Sequence, residues 1–269
     1  AVITSLDCHY SSSKAANVLS IDCIKIAVNK SSRQIDKQAL EQQLSAARSA
    51  GKQYFIVIAN MMTTMFGSVD DIDSYADAMD AARVQYFIHV DGAYGGFFYP
   101  FATKSNKLDF ANKRVTSVTL DAHKMLQAPY GTGIFLIRKG FIKYAMTKEA
   151  SYVEGEDYTL IGSRSGANAV AIWMILMTYG PHGWYEKILI LLNRAQWLCN
   201  QLDRLKISYY RHEASNIITI RSEAIPKALA KKYGLVPDSH HNPQWYKIVI
   251  MDHVTIEKME PFIEELAEA

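Results

Sequence analysis

Apolar, β-branched runs that end in polar residues recur along the first two-thirds of this chain, with helical patterns between them. No other feature limits the possible folds as strongly. Residues 1–6 read as a first strand, YFIVIAN (54–60) as a buried one, residues 86–90 as a third and VTSVTLD (115–121) as a fourth. Between them, residues 36–50 place Leu40, Leu44 and Ala47 at helical spacing with Gly51 as a stop, and the pattern from Val69 puts acidic residues early in a helix. Strand, helix, strand in this order predicts an α/β domain: a mainly parallel sheet covered by helices on both faces. Ligands in such sheets sit beyond the carboxyl ends of the strands. His9, Thr64 and Asp91 fall at those ends, and Lys124 lies just beyond another.

The residues at the third and fourth ends point to a chemistry. HVDGAYGG (89–96) runs from a strand into Asp91 and small residues, and DAHKM (121–125) delivers a histidine and a lysine. One carboxylate and one amine at neighbouring strand ends suit pyridoxal 5'-phosphate. Its aldehyde takes a lysine amine as a Schiff base, and its ring nitrogen must stay protonated to withdraw electrons. A carboxylate about 4 Å from that nitrogen is worth roughly 4 kcal/mol at an effective dielectric near 20. That amounts to about three pKa units, enough to hold the pyridinium at neutral pH. Gly92, Ala93, Gly95 and Gly96 are expected to leave room for a flat ring.

HVDGAYGG followed by DAHKM resembles the group II amino-acid decarboxylases, pyridoxal-phosphate enzymes of the aspartate-aminotransferase fold type (fold type I). The likeness runs from His9 to the C-terminal helix and is most specific between Asp91 and Lys124. It implies Lys124 as the cofactor-binding lysine, Asp91 as the partner of the ring nitrogen and His9, in its H-Y-S context, stacked on the ring. Ala93 would pack on the opposite ring face, Thr64 near the ring or Asp91, and His123 near the phosphate or the substrate. Family members carry a loop tyrosine that protonates the carbanion left by carbon dioxide; Tyr152 is the better positional match and Tyr158 the reserve. Arg164, in SRSGANAV, would brace the site or an interface. Family members commonly have glycine just before the paired threonines, where this chain has Met62. The family's phosphate-binding turn, rich in Gly, Ser and Thr at a helix start, normally precedes the position of His9, so part of the parent chain is expected to be missing. Asp121 would be repelled by phosphate and must point away or pair with a cation.

The implied reaction is decarboxylation of an L-amino acid to the amine, in a homodimer with the APYGTG segment (128–133) close to the partner's site. Two alternatives stand beside it. One is another lyase with the same cofactor, cleaving carbon–carbon bonds as in sphingosine-phosphate lyase or forming an aldehyde. The other is a catalytically incomplete member acting as a binding partner.

Composition narrows the remaining classes. At 269 residues and 49% hydrophobic, the chain can bury a large core. A formal charge of +2 with no long Lys/Arg cluster argues against nucleic acid. Cys8, Cys23 and Cys199 are odd in number and lack metal-ligand spacing, so reduced thiols in a cytoplasmic setting are expected, with no metal site. The opening AVITSLDCHYS does not read as a signal peptide, and no run is long enough to span a bilayer. From about Gly180 the pattern changes. A long helix over 184–206 leads to strands near 207–210 and 217–221, a helix over 226–233, the run YKIVIMD and a last helix. The expected division is a large cofactor domain over 1–180 and a small α+β domain over 181–269. Trp173, Met174 and Met177 are expected in the core.

Overall fold

The computed structural model describes residues 1–146 and 158–269. The predicted alternation is realised as β1 (Val2–Ser5), α1 (Tyr10–Val18), β2 (Cys23–Ile26), α2 (Lys37–Ser49), β3 (Tyr54–Asn60), α3 (Ile72–Ala81), β4 (Gln85–Asp91), α4 (Tyr99–Ala102), β5 (Val115–Asp121) and β6 (Gly133–Ile137). These strands form one sheet in the order β2-β1-β3-β4-β5-β6. Every pairing is parallel except the last, where β6 returns antiparallel along β5. The register sets Asn60 against Asp91 and Asp91 against Thr119, so the strand ends form one level edge.

Local chemistry sets the helix starts. Asp36 and Asp71 each occupy an N-cap and accept from backbone N–H groups at Ala39 and Asp73, satisfying donors that a helix start leaves unpaired. Leu40, Leu44 and Ala47 of α2 and Tyr75 and Met79 of α3 are buried, as their spacing predicts. Ile3, Val57, Ile88 and Val115 lie at the centre of the sheet with no exposed surface. The opposite face is left partly open by the described residues, because Tyr54 and Ile56 on β3 and Phe87 on β4 are exposed. The expectation of cover on both faces holds only in part.

Beyond the sheet, α5 (Gly166–Arg204) is broken at Gly180, whose φ of 59° lies in the left-handed region, with Pro181 next. After the break, Trp184, Ile188, Leu191, Ala195 and Leu198 form a buried stripe, and the Trp184 indole donates to the Phe97 carbonyl at 2.6 Å. Ile188, Leu191 and Leu198 each contribute about 1.5–3 kcal/mol through burial. Before the break the outcome differs from expectation: Trp173, Met174 and Met177 are exposed, at 60%, 57% and 66%. Helical spacing alone does not specify the surface that a stripe packs against, and among the described residues nothing covers this one. The chain ends in β7 (Tyr209–Tyr210), β8 (Ile217–Arg221), α6 (Lys227–Lys232), β9 (Val236–Pro237), β10 (Trp245–Val249) and α7 (Ile256–Ala267). Its four strands make a second, antiparallel sheet in the order β7-β8-β10-β9. Among the described residues, no helix is long and apolar enough to cross a membrane.

Candidate active site

A cavity of about 450 Å³ opens at the carboxyl ends of β1, β3, β4 and β5. His9, Thr64, Asp91, Ala93 and Lys124 all line it. Five residues from four separate stretches of sequence therefore meet at one place, because the parallel sheet brings its strand ends to a common edge.

His9 is the N-cap of α1 and accepts at Nδ1 from the Ser11 backbone N–H, at 3.3 Å, with the Ser11 hydroxyl 2.8 Å away. An accepting Nδ1 leaves the ring proton on Nε2. Burial holds the imidazole pKa below its ordinary value and the Lys124 charge adds to this, while Asp91 and Asp121 act the other way.

Asp91 ends β4, and its Oδ1 accepts from the Ala93 amide at 3.1 Å. Of the small residues that follow, only Ala93 faces the cavity; the glycines answer to packing instead. A Cβ on Gly95 would lie 2.2 Å from the Met61 carbonyl oxygen, and one on Gly96 1.9 Å from Leu120 Cδ2. Their smallness lets the turn after β4 press against neighbouring backbone and core, which corrects the expectation that they clear space for a ring.

Lys124 lies just past β5, with Nζ 2.9 Å from Asp121 Oδ2. Asp121 thus pairs with a cation, the second of the two options open to it. His123 lies outside the cavity lining: its Nδ1 donates to the Thr132 carbonyl at 3.0 Å, and its ring packs on Tyr130. Thr63 is buried, its hydroxyl 2.7 Å from that of Ser68, whereas Thr64 is exposed toward the cavity. Met62 has a φ of 69° and is nearly buried. A glycine would adopt that conformation freely, and for a residue with a Cβ it costs about 1 kcal/mol or more. Arg164 is exposed, Tyr158 is half-buried outside the lining, and Tyr152 lies outside the described residues.

Three further residues at the site escaped the sequence reading. His89 is on the same face of β4 as Asp91, two residues earlier, and its ring nitrogens lie 2.9 Å from the Ser117 hydroxyl and 3.2 Å from that of Thr119. Burial lowers its pKa, partly offset by Asp91. The two-residue period of a strand was a usable signal for it. Asn60 lines the cavity at the end of β3, and its position at the end of YFIVIAN was also legible. Lys247, on β10, donates to the Thr64 carbonyl at 2.7 Å, and burial and the Lys124 charge lower its pKa. No local pattern could have placed it there.

Residues 1–210 match the family model described as the pyridoxal-dependent decarboxylase conserved domain. The chain belongs to that family. It is 54% identical over 268 residues to a tryptophan decarboxylase of Clostridium sporogenes, covering 99% of this chain and 64% of that protein. It is 30% identical to serine decarboxylase 2 of rice, Oryza sativa subsp. japonica, covering 97% of this chain and 54% of that one. The chain therefore spans less than two-thirds of the length of these relatives. Among solved structures, sphingosine-1-phosphate lyase from Burkholderia pseudomallei superposes with a TM-score of 0.83 over 99% of this chain and 62% of its own, at 18% identity. That likeness establishes the shared fold, type I of the pyridoxal-phosphate enzymes, and no more.

Proposed function

We propose that the protein decarboxylates an aromatic L-amino acid to the corresponding amine, with pyridoxal 5'-phosphate as cofactor and tryptophan as the first candidate substrate. The observation that carries this reading is the shared cavity: the Lys124 amine and the Asp91 carboxylate line it from the ends of adjacent strands, with Asp121 beside the amine. The 54% identity to a tryptophan decarboxylase supports the substrate.

The residues present fit the cofactor. A half-buried carboxylate, an amine, a flat imidazole and a methyl-sized Ala93 line a space of about 450 Å³. When bound, pyridoxal phosphate supplies an electron-withdrawing ring that accepts the electron pair left by carbon dioxide. Lys124 would hold the cofactor through its amine. Asp121, 2.9 Å from Nζ, holds a proton-accepting oxygen beside that amine. Asp91 would set its negative charge toward the ring nitrogen and hold a proton there. His9, fixed by its Ser11 contacts, would cover one face of the ring, and Ala93 would border the other. Thr64 would lie at the ring edge, and His123 supports the turn after β5 through Thr132. Tyr152, with Tyr158 in reserve, is the proposed donor of a proton to the substrate carbon.

The same reading includes a homodimer, a cytoplasmic location and a division into two domains near Gly180. The exposed apolar stripe of α5 supports the first, and the break at Gly180 supports the last. The deciding experiment supplies the cofactor-loaded protein with a panel of amino acids and measures amine, carbon dioxide and aldehyde. Tryptamine and carbon dioxide in equal amounts are expected from tryptophan. Aldehyde in place of carbon dioxide would favour the carbon–carbon lyase reading. No turnover of any member with cofactor bound would overturn the enzymatic one.

A further inference from the structure

Residues 61–69 form a closed loop between β3 and the approach to α3, and this loop carries Met62, Thr63 and Thr64 into the cavity wall. Its two ends are pinned together at one carboxylate. Asp70 Oδ2 accepts from the Asn60 backbone N–H at 2.8 Å and from Asn60 Nδ2 at 2.7 Å, and the Asp70 N–H returns a bond to the Asn60 carbonyl at 2.9 Å. Asn60 Nδ2 also donates to Ser5 Oγ at 3.1 Å, at the end of β1 and four residues before His9. Asn60 in turn stands opposite Asp91 in the sheet. Ser5, Asn60 and Asp70 are almost wholly buried.

We propose that Asp70 is a positioning residue for the cofactor cavity: through Asn60 it closes the neck of the 61–69 loop and ties together the strand ends that carry His9, Thr64 and Asp91. The proposal rests on the cofactor reading above. Asp70 is outside the cavity lining, so it acts on the cavity through Asn60 and the loop that it closes. An irregular backbone conformation persists where its surroundings over-determine it, and Met62 at φ 69° lies in this loop. Elsewhere the loop packs Phe66 beneath the Arg33 guanidinium, 3.7 Å from the ring centroid, and Arg33 forms a two-bond pair with Asp7. At Gly67 an added Cβ would lie 2.3 Å from Ser215 Oγ, so the tip also seats tightly against the second sheet. The neck carries the only carboxylate bonded to Asn60 among the described residues.

The test compares Asp70→Leu, Asp70→Asn and Ser5→Ala with Leu229→Ala, a buried control in α6 outside the cavity lining. Two readouts are needed: cofactor affinity by absorbance titration, and amide hydrogen exchange of residues 60–70 without cofactor. Losing buried bonds to one oxygen should weaken cofactor binding in Asp70→Leu by about tenfold or more, and loss of the single Ser5 bond should weaken it by about threefold. Asp70→Asn keeps an oxygen able to accept both Asn60 bonds and should stay within about threefold of wild type. Exchange across 60–70 should accelerate in Asp70→Leu and Ser5→Ala and not in Leu229→Ala. Equal weakening in Leu229→Ala and Asp70→Leu, or unchanged exchange in both brace variants, would overturn the proposal. If Asp70→Leu does not fold, Ser5→Ala decides by the same two measurements. If the wild type takes up no cofactor, the proposed function falls, and exchange in the cofactor-free proteins still judges the brace.

Discussion

Asp121 and Lys124 face each other at 2.9 Å across the turn that follows β5, and the carboxylate is the more buried of the two. The amine proposed to hold the cofactor is thereby tethered before any cofactor arrives. Because about a third of the lysine side chain is exposed, the pair adds little to folding. Lys124→Ala should abolish the cofactor's lysine-linked visible absorbance and all turnover, yet change the unfolding free energy of the cofactor-free protein by less than about 1 kcal/mol. Absorbance spectra and denaturant melts check both halves, and full activity in this variant would contradict the assigned role.

Asp91→Asn removes a charge while keeping shape. Without roughly 4 kcal/mol of attraction to the ring-nitrogen proton, the electron-withdrawing form is lost at neutral pH. Turnover should fall by about two to three orders of magnitude, while cofactor affinity falls far less. Titration of the cofactor against kcat separates the two effects.

Burial pushes the Asp70 carboxyl up to about 7, against the lowering effect of its two Asn60 bonds, with Asp7 adding like charge. A carboxyl with a folded pKa above its unfolded value is favoured by folding when protonated. Its contribution is fully present below about pH 4 and is lost as pH rises through about 7. Asp70→Asn removes this titration, so its stability should decline less than that of the wild type between pH 4 and 7. The expected difference is a few kcal/mol across the window, read from urea melts at stepped pH. Parallel curves for the two proteins would contradict the raised pKa.

Gly95→Ala should destabilise the fold by about 1–3 kcal/mol, because its new Cβ meets a backbone oxygen that cannot swing aside. Gly166→Ala, where an added Cβ meets nothing within 4 Å, serves as the comparison and should change stability by well under 1 kcal/mol. Thermal melts of both variants measure the difference.

The cavity was legible where chemistry and secondary structure coincide locally. Asp91 closes a strand, His9 and Lys124 each follow one within four residues, and a parallel sheet aligns such ends without further information. What escaped depends on distance or on context. Lys247 reaches Thr64 from a strand far along the chain, and β2 and β9 are short edge pieces that borrow their conformation from a neighbour. Trp173 and Met177 carry a helical period that says a face is apolar without saying what meets it. Smallness in the glycines after Asp91 suggests clearance for a ligand, whereas backbone and core packing claim the space.

The bond from Lys247 to the Thr64 carbonyl has a bearing on how this architecture can be recombined. A chimera that exchanges the second sheet for that of a homologue would carry along a strut under the pocket's rim. Crossovers placed between α5 and β7 therefore change what supports that rim even when every residue lining the cavity is left untouched.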